Sequence, residues 1–310
     1  MATIDGIYAH TLRLKLNDEQ TRREYDSSSS ETTIYTVKGK TLIFIGGSHV
    51  RGRAPFIGFI EKAFKRFDPD VVLVEQSMDM PGHRMRDKLK RPEREWTEVE
   101  WLVNLADKRK IEFRGMDAAS NWMFGSFLEM GDKDGIKAGL LRWTISEYKH
   151  LLSMELGLSK EDLYDMVVMS IAMDFVRPGR FSEFNIEFIA LRKRYHRLSL
   201  NNFMKKVIQG ATDKYIEKAP FLSVVEKPGI DSPYPWGRGY KMNKVRAWWN
   251  AYRNKSMIDE CIKALKQHDT VLAMAGWGHI FTIRELLAKE IIKNVGPVEV
   301  LRWKDYAKSA

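Results

Sequence analysis

Three short apolar runs constrain this chain most: residues 41–45, 71–74 and 270–275. Each is too short for a buried helix and lacks the polar alternation of a half-exposed strand, so each predicts a strand covered on both faces. Between the first two, Phe56, Ile60, Phe64 and Phe67 recur at helical spacing behind Pro55, and Asp68-Pro69-Asp70 ends that helix. Strand, helix, strand at this scale is a βαβ unit of a parallel sheet. Upstream, residues 33–37, Lys38-Gly39-Lys40 and 41–45 predict a hairpin.

The remaining pattern completes an α/β fold. Residues 7–16 are expected to form a first strand, followed by a mobile loop ending in the serine cluster 27–30. A helix over 93–108 follows Pro92, and a strand over 111–116 leads to Asp117. Long amphipathic stretches at 140–156, 160–175 and 184–207 predict a helical insertion, closed by a loop rich in Pro, Gly and aromatics at 227–240. A helix over 245–267, the strand 270–275, a helix over 281–293 and a strand over 298–303 finish the chain. The expected architecture is a mixed, largely parallel central sheet flanked by helices, with a helical insertion. One composite domain then comprises 1–33, 34–118, 119–244 and 245–310, the second and last parts being the two halves of the core.

Composition narrows the function classes. The 310 residues are 44% apolar and 30% charged, as in a folded soluble protein. No run reaches the ~18 apolar residues of a membrane helix, and the N-terminus has no basic segment leading into an apolar one. One cysteine, Cys261, excludes an internal disulfide and a cysteine-rich zinc site. A cytoplasmic protein is expected, with no membrane insertion. The net charge of +10 admits nucleic acid as a partner. The basic residues are spread along the chain, however, with clusters at 192–197 and 88–94 that suit solvated helix faces. No zinc-finger spacing, RNP pattern or phosphate-cradling loop accompanies them, so nucleic acid is not favoured.

Polar residues at strand ends carry the functional signal. The first apolar run closes in Gly46-Gly-Ser-His49 and the last in Gly276-Trp-Gly-His279. With 7 histidines and 21 glycines, chance supplies roughly half of one Gly-x-x-His per chain, and both copies here terminate apolar strands. Glu75 directly follows the run 71–74, and Asp117 follows the strand before the insertion. In an open parallel sheet, ligands bind outside the carboxyl ends of the strands, where all four residues fall. Arg253 joins them: it lies early in the helix before the last core strand, on the face continued by Met257, Cys261 and Leu265. A buried arginine needs an anion, which Glu75, Asp117 or a substrate oxyanion could supply. Singly, each histidine suits a structural role, Asp117 suits a helix cap, and Arg253 suits a clamp on Glu75. Trp277 and Phe281 suit packing.

The order Gly46-Gly-Ser-His49, Val71-Val-Leu-Val-Glu75, Arg253-Asn254 with Met257, then Gly276-Trp-Gly-His279 resembles the TraB/TIKI family. That group belongs to a wider clan with erythromycin esterases and the haem-binding ChaN proteins. Glu100 followed by Asp117 is a weaker shared feature, and the likeness covers roughly 34–117 and 245–303. It implies an α/β core with its active site between the two Gly-x-x-His turns. TIKI-like chemistry would be metal-dependent peptidase action through the two histidines and the glutamate, whereas esterase-like chemistry would activate water without metal.

The expected function is therefore hydrolysis of a peptide or ester bond in a small-molecule or peptide substrate. His49, Glu75 and His279 would hold manganese, cobalt or zinc, or position the water directly. Arg253 would stabilise charge developing on the attacked group. Asp117, Tyr234 and Trp236 are candidate substrate contacts, the last two on the 227–240 loop with Tyr240. The rival class is a binding protein of the same fold, holding haem or another ligand, or engaging nucleic acid or an acidic partner.

Overall fold

The computed structural model of the protein describes residues 2–13, 32–47, 54–118, 231–232, 241–242, 244–303 and 305–306, with single residues 159, 197 and 202. Helix α1 (Ile4–Arg13) is followed by strands β1 (Thr32–Val37) and β2 (Lys40–Gly47), helix α2 (Ala54–Phe67) and strand β3 (Val71–Ser77). Helices α3 (Gly82–Lys88) and α4 (Glu98–Lys108) then lead to β4 (Glu112–Asp117). After the two-residue strands β5 (Asp231–Ser232) and β6 (Lys241–Met242) come α5 (Lys244–Gln267), β7 (Thr270–Gly276), α6 (Trp277–Asn294) and β8 (Glu299–Arg302). The chain divides into two compact units, Met1–Ala119 with Ala251–Ala310, and Ser120–Asn250. In the second unit β5 and β6 pair in parallel. The expected helices at 140–156, 160–175 and 184–207 lie outside the described residues.

The first unit is built on one six-stranded sheet in the order β4-β3-β7-β2-β1-β8. Only β1 opposes the other five strands, so the sheet is mixed and largely parallel, with helices packed on it in an α/β fold. The apolar runs explain why. In β2, Leu42 and Phe44 enter the core shared with α5 and α6, while Ile43 and Ile45 enter the core shared with α2 and α4. β3 divides Val71 and Leu73 from Val72 and Val74 in the same way, and β7 divides Val271, Ala273 and Ala275 from Leu272 and Met274. A period of two sends alternate side chains into two cores, so an unbroken apolar run is stable only when both faces are covered.

Local chemistry sets the boundaries. Lys38 (φ 49°) and Gly39 (φ 78°) both adopt left-handed backbone between β1 and β2, the two-residue hairpin geometry that matches strand twist. Thr97 caps α4, and the Glu100 carboxylate accepts the Thr97 backbone N–H at 2.8 Å, a reciprocal capping box. The helix expected over 93–108 therefore starts at Glu98, preceded by a separate 3-10 turn at Glu93–Glu95. Helix α3 has no counterpart among the sequence expectations.

One expectation is overturned outright. The segment assigned to a first strand over 7–16 is helical as far as Arg13. Ile4, Ile7 and Tyr8 follow i, i+3, i+4 spacing, and the Thr3 hydroxyl accepts the Gly6 N–H at 3.1 Å as a cap. Ile7 is fully buried against the α5 and α6 side of the sheet. The helical period sets the structure of this segment. The serine cluster lies outside the described residues.

Cys261 sits on the inward face of α5, fully buried, and burial pushes its thiol up. It should resist thiol reagents in the native protein and react fully in denaturant. Rapid labelling of the folded chain, followed by absorbance of the released thiolate, would contradict this placement.

Candidate active site at the carboxyl edge

Strands β2, β7, β3 and β4 all point their carboxyl ends to one edge of the sheet. Gly46 pairs with Ala275 and Gly47 with Gly276, so the carboxyl ends of β2 and β7 lie side by side. Helix α6 begins at Trp277, which puts His279 in its first turn, 4% exposed. His49, two residues beyond Gly47, lies outside the described residues, as do Tyr234, Trp236 and Tyr240.

Four of the sequence-selected residues meet at this edge. Arg253, from α5, donates through Nε to Asp117 Oδ1 at 3.0 Å and Oδ2 at 2.9 Å. Its Nη2 donates to Asp117 Oδ2 at 2.6 Å and to Glu75 Oε1 at 2.5 Å. One guanidinium thus bridges two carboxylates from neighbouring strands, the fork geometry that lysine cannot reproduce. The other oxygen of Glu75 accepts the Gly276 backbone N–H. His279 turns Nε2 toward Glu75 Oε1 at 3.5 Å, and its Nδ1 lies 2.6 Å from Asn254 Oδ1. The side chains of Glu75, Asp117 and Arg253 are only 9%, 14% and 20% exposed, so these charges act largely unscreened.

A backbone irregularity aims Glu75. β3 and β4 pair Val74 with Gly115 and then Ser77 with Asp117, so β3 carries one extra residue over that interval. Such a bulge re-aims a side chain where a strand meets a site. It closes over Gly115, where a Cβ would stand 2.4 Å from the carbonyl oxygens of Gln76 and Ser77. Gly115→Ala should therefore cost about 1–3 kcal/mol in a urea unfolding titration by forcing backbone apart. Wild-type stability in that variant would show the bulge has slack.

Two residues here were not among the sequence-selected site residues, although Asn254 stands in the Arg253-Asn254 motif. Asn254 is fully buried, and its Nδ2 has no hydrogen-bond partner among the described residues. Its signal was present: once Arg253 faces inward, the next residue lies about 100° around the same helix. Glu98, in the first turn of α4, is 3% exposed, and its Cδ lies 3.8 Å from the position a Gly47 Cβ would take. The Thr97-x-x-Glu100 pattern marks the start of the helix that precedes β4, which places Glu98 at this edge. On the α3 and α4 side of the sheet, Lys88 Nζ donates to Gln76 Oε1 at 2.7 Å, and burial holds its ammonium below the usual lysine range.

Among the described residues no group of three or more His, Cys, Asp or Glu side chains is placed to hold a metal ion. Nor is any described helix long and apolar enough to cross a membrane. Comparison with protein-family models, with curated proteins and with solved structures returns no match.

Proposed function

We propose that the protein is a hydrolase similar to the TraB/TIKI group, cleaving a peptide or ester bond with a water activated at this edge. The observation that carries the reading is the convergence of Glu75, Asp117, Arg253 and His279, from four separate elements, on one part-buried edge. Ion pairs that only hold a fold together have no need of an imidazole nitrogen aimed at the same carboxylate. Either Glu75 or His279 can act as the general base toward a water hydrogen-bonded to both, the other orienting it. Arg253, already held by Asp117, places a guanidinium beside that point to stabilise an oxyanion.

A divalent ion such as manganese, cobalt or zinc suits the same residues at one corner. Nε2 of His279 and Oε1 of Glu75 stand 3.5 Å apart, close to the ~3.4 Å that two ligands at ~2.1 Å span across a tetrahedral centre. His49 would complete the set of His49, Glu75 and His279. Bound there, the ion would lower the pKa of a coordinated water. The test is a panel of peptide, ester and phosphoester substrates offered to the wild type and to His279→Ala. Turnover by the wild type that falls at least ~10²-fold in the variant supports the reading. Equal turnover in both removes it.

A further inference from the structure

We infer that Asn254 is a positioning residue that holds His279 as its Nδ1–H tautomer, so that Nε2 presents its lone pair to the edge shared with Glu75. The contact of 2.6 Å joins Nδ1 to Oδ1, an oxygen that only accepts, and with the amide in this orientation the ring nitrogen is the donor. Neutral histidine in water prefers its proton on Nε2, and a fixed acceptor at Nδ1 reverses that preference. Asn254 is fully buried on α5 and His279 is 4% exposed on α6, so water does not compete for the bond.

The choice of an amide follows from the neighbours. Glu75 faces the ring from β3, Asp117 and Arg253 are paired beside it from β4 and α5, and Glu98 lies along the same edge from α4. An amide orients the imidazole without adding a further negative charge. With the amide turned the other way, Nδ2 would donate to Nδ1 and the proton would sit on Nε2. His279 would then face Glu75 as a donor with no lone pair to offer. A lone pair on Nε2, 3.5 Å from the Glu75 carboxylate, needs a cation or a water proton beside it, so its role as base or metal ligand rests on the hydrolase reading; the proton on Nδ1 does not.

The experiment is long-range ¹H–¹⁵N correlation of the imidazole nitrogens in the full chain, with His279 assigned by the signals lost in His279→Gln. The wild type should show a protonated Nδ1 and an unprotonated Nε2. Asn254→Leu should return the ring to Nε2–H, and Asn254→Asp, which keeps the acceptor, should retain Nδ1–H. Turnover, or affinity for added zinc, should fall about 10- to 100-fold in the leucine variant and less in the aspartate variant. A wild-type ring protonated on Nε2, or a leucine variant still protonated on Nδ1, would overturn the assignment. If the leucine variant does not fold, the wild-type and aspartate spectra decide it alone. An Nδ1–H ring in a protein without turnover would uphold Asn254 and remove the hydrolase reading.

Discussion

Glu75→Gln should lower kcat/KM for hydrolysis by about 10²- to 10⁴-fold, the range lost when a positioned acid–base group is removed. The substitution is isosteric, so the loss would follow from charge. The glutamate presents one oxygen to Arg253 and His279 and the other to the Gly276 N–H. A glutamine can place only one oxygen there, and its NH₂ must face either a guanidinium or a backbone N–H. That mismatch adds a stability cost of about 1–3 kcal/mol, which a denaturant titration separates from the kinetic effect. Steady-state kinetics on the folded variant measures the rest. A variant that folds normally and retains full turnover would place the chemistry elsewhere.

Arg253→Leu should be the most destabilising single change at this edge. Removing one partner of a buried ion pair strands the other, and here two carboxylates would be stranded together. Glu75 and Asp117 would lose the bridge between them while remaining largely out of water. The expected cost is roughly 3 kcal/mol, the lower end of the range for buried pairs because Arg253 keeps some solvent contact. Arg253→Lys should recover part of it, since an ammonium restores the charge without the bidentate fork. Urea midpoints for the three proteins check both statements. A leucine variant within ~0.5 kcal/mol of wild type would mean that water screens the cluster despite its burial.

Much of the core was legible because its signals are physical and local. The runs at 41–45, 71–74 and 270–275 have only one stable use, as strands covered on both faces, and β2, β3 and β7 occupy them. Arg253 was legible through its i+4 series with Met257, Cys261 and Leu265, which are buried in α5. In the first segment Ile4, Ile7 and Tyr8 keep helical spacing, and the Thr3 cap starts the helix there. The roles of Glu98 and Asn254 were not legible, for different reasons. A glutamate in a helix's first turn usually signals capping or the helix dipole. Asparagine acquires its meaning here only when His279, 25 residues later, is brought to it. The bulge at Gly115 depends on register between strands, which no single segment encodes.

In the proposed function, Glu75 and His279 activate water with the help of a bound cation. Bound manganese, cobalt and zinc per chain, measured by mass spectrometry on protein purified without chelators, tests it most directly. The wild type is compared with a His49→Ala/His279→Ala double variant of confirmed fold. About one ion per chain in the wild type, lost in the double variant, is the predicted result. Metal retained undiminished by the double variant, or a wild type that binds none of the three when they are supplied, would contradict it.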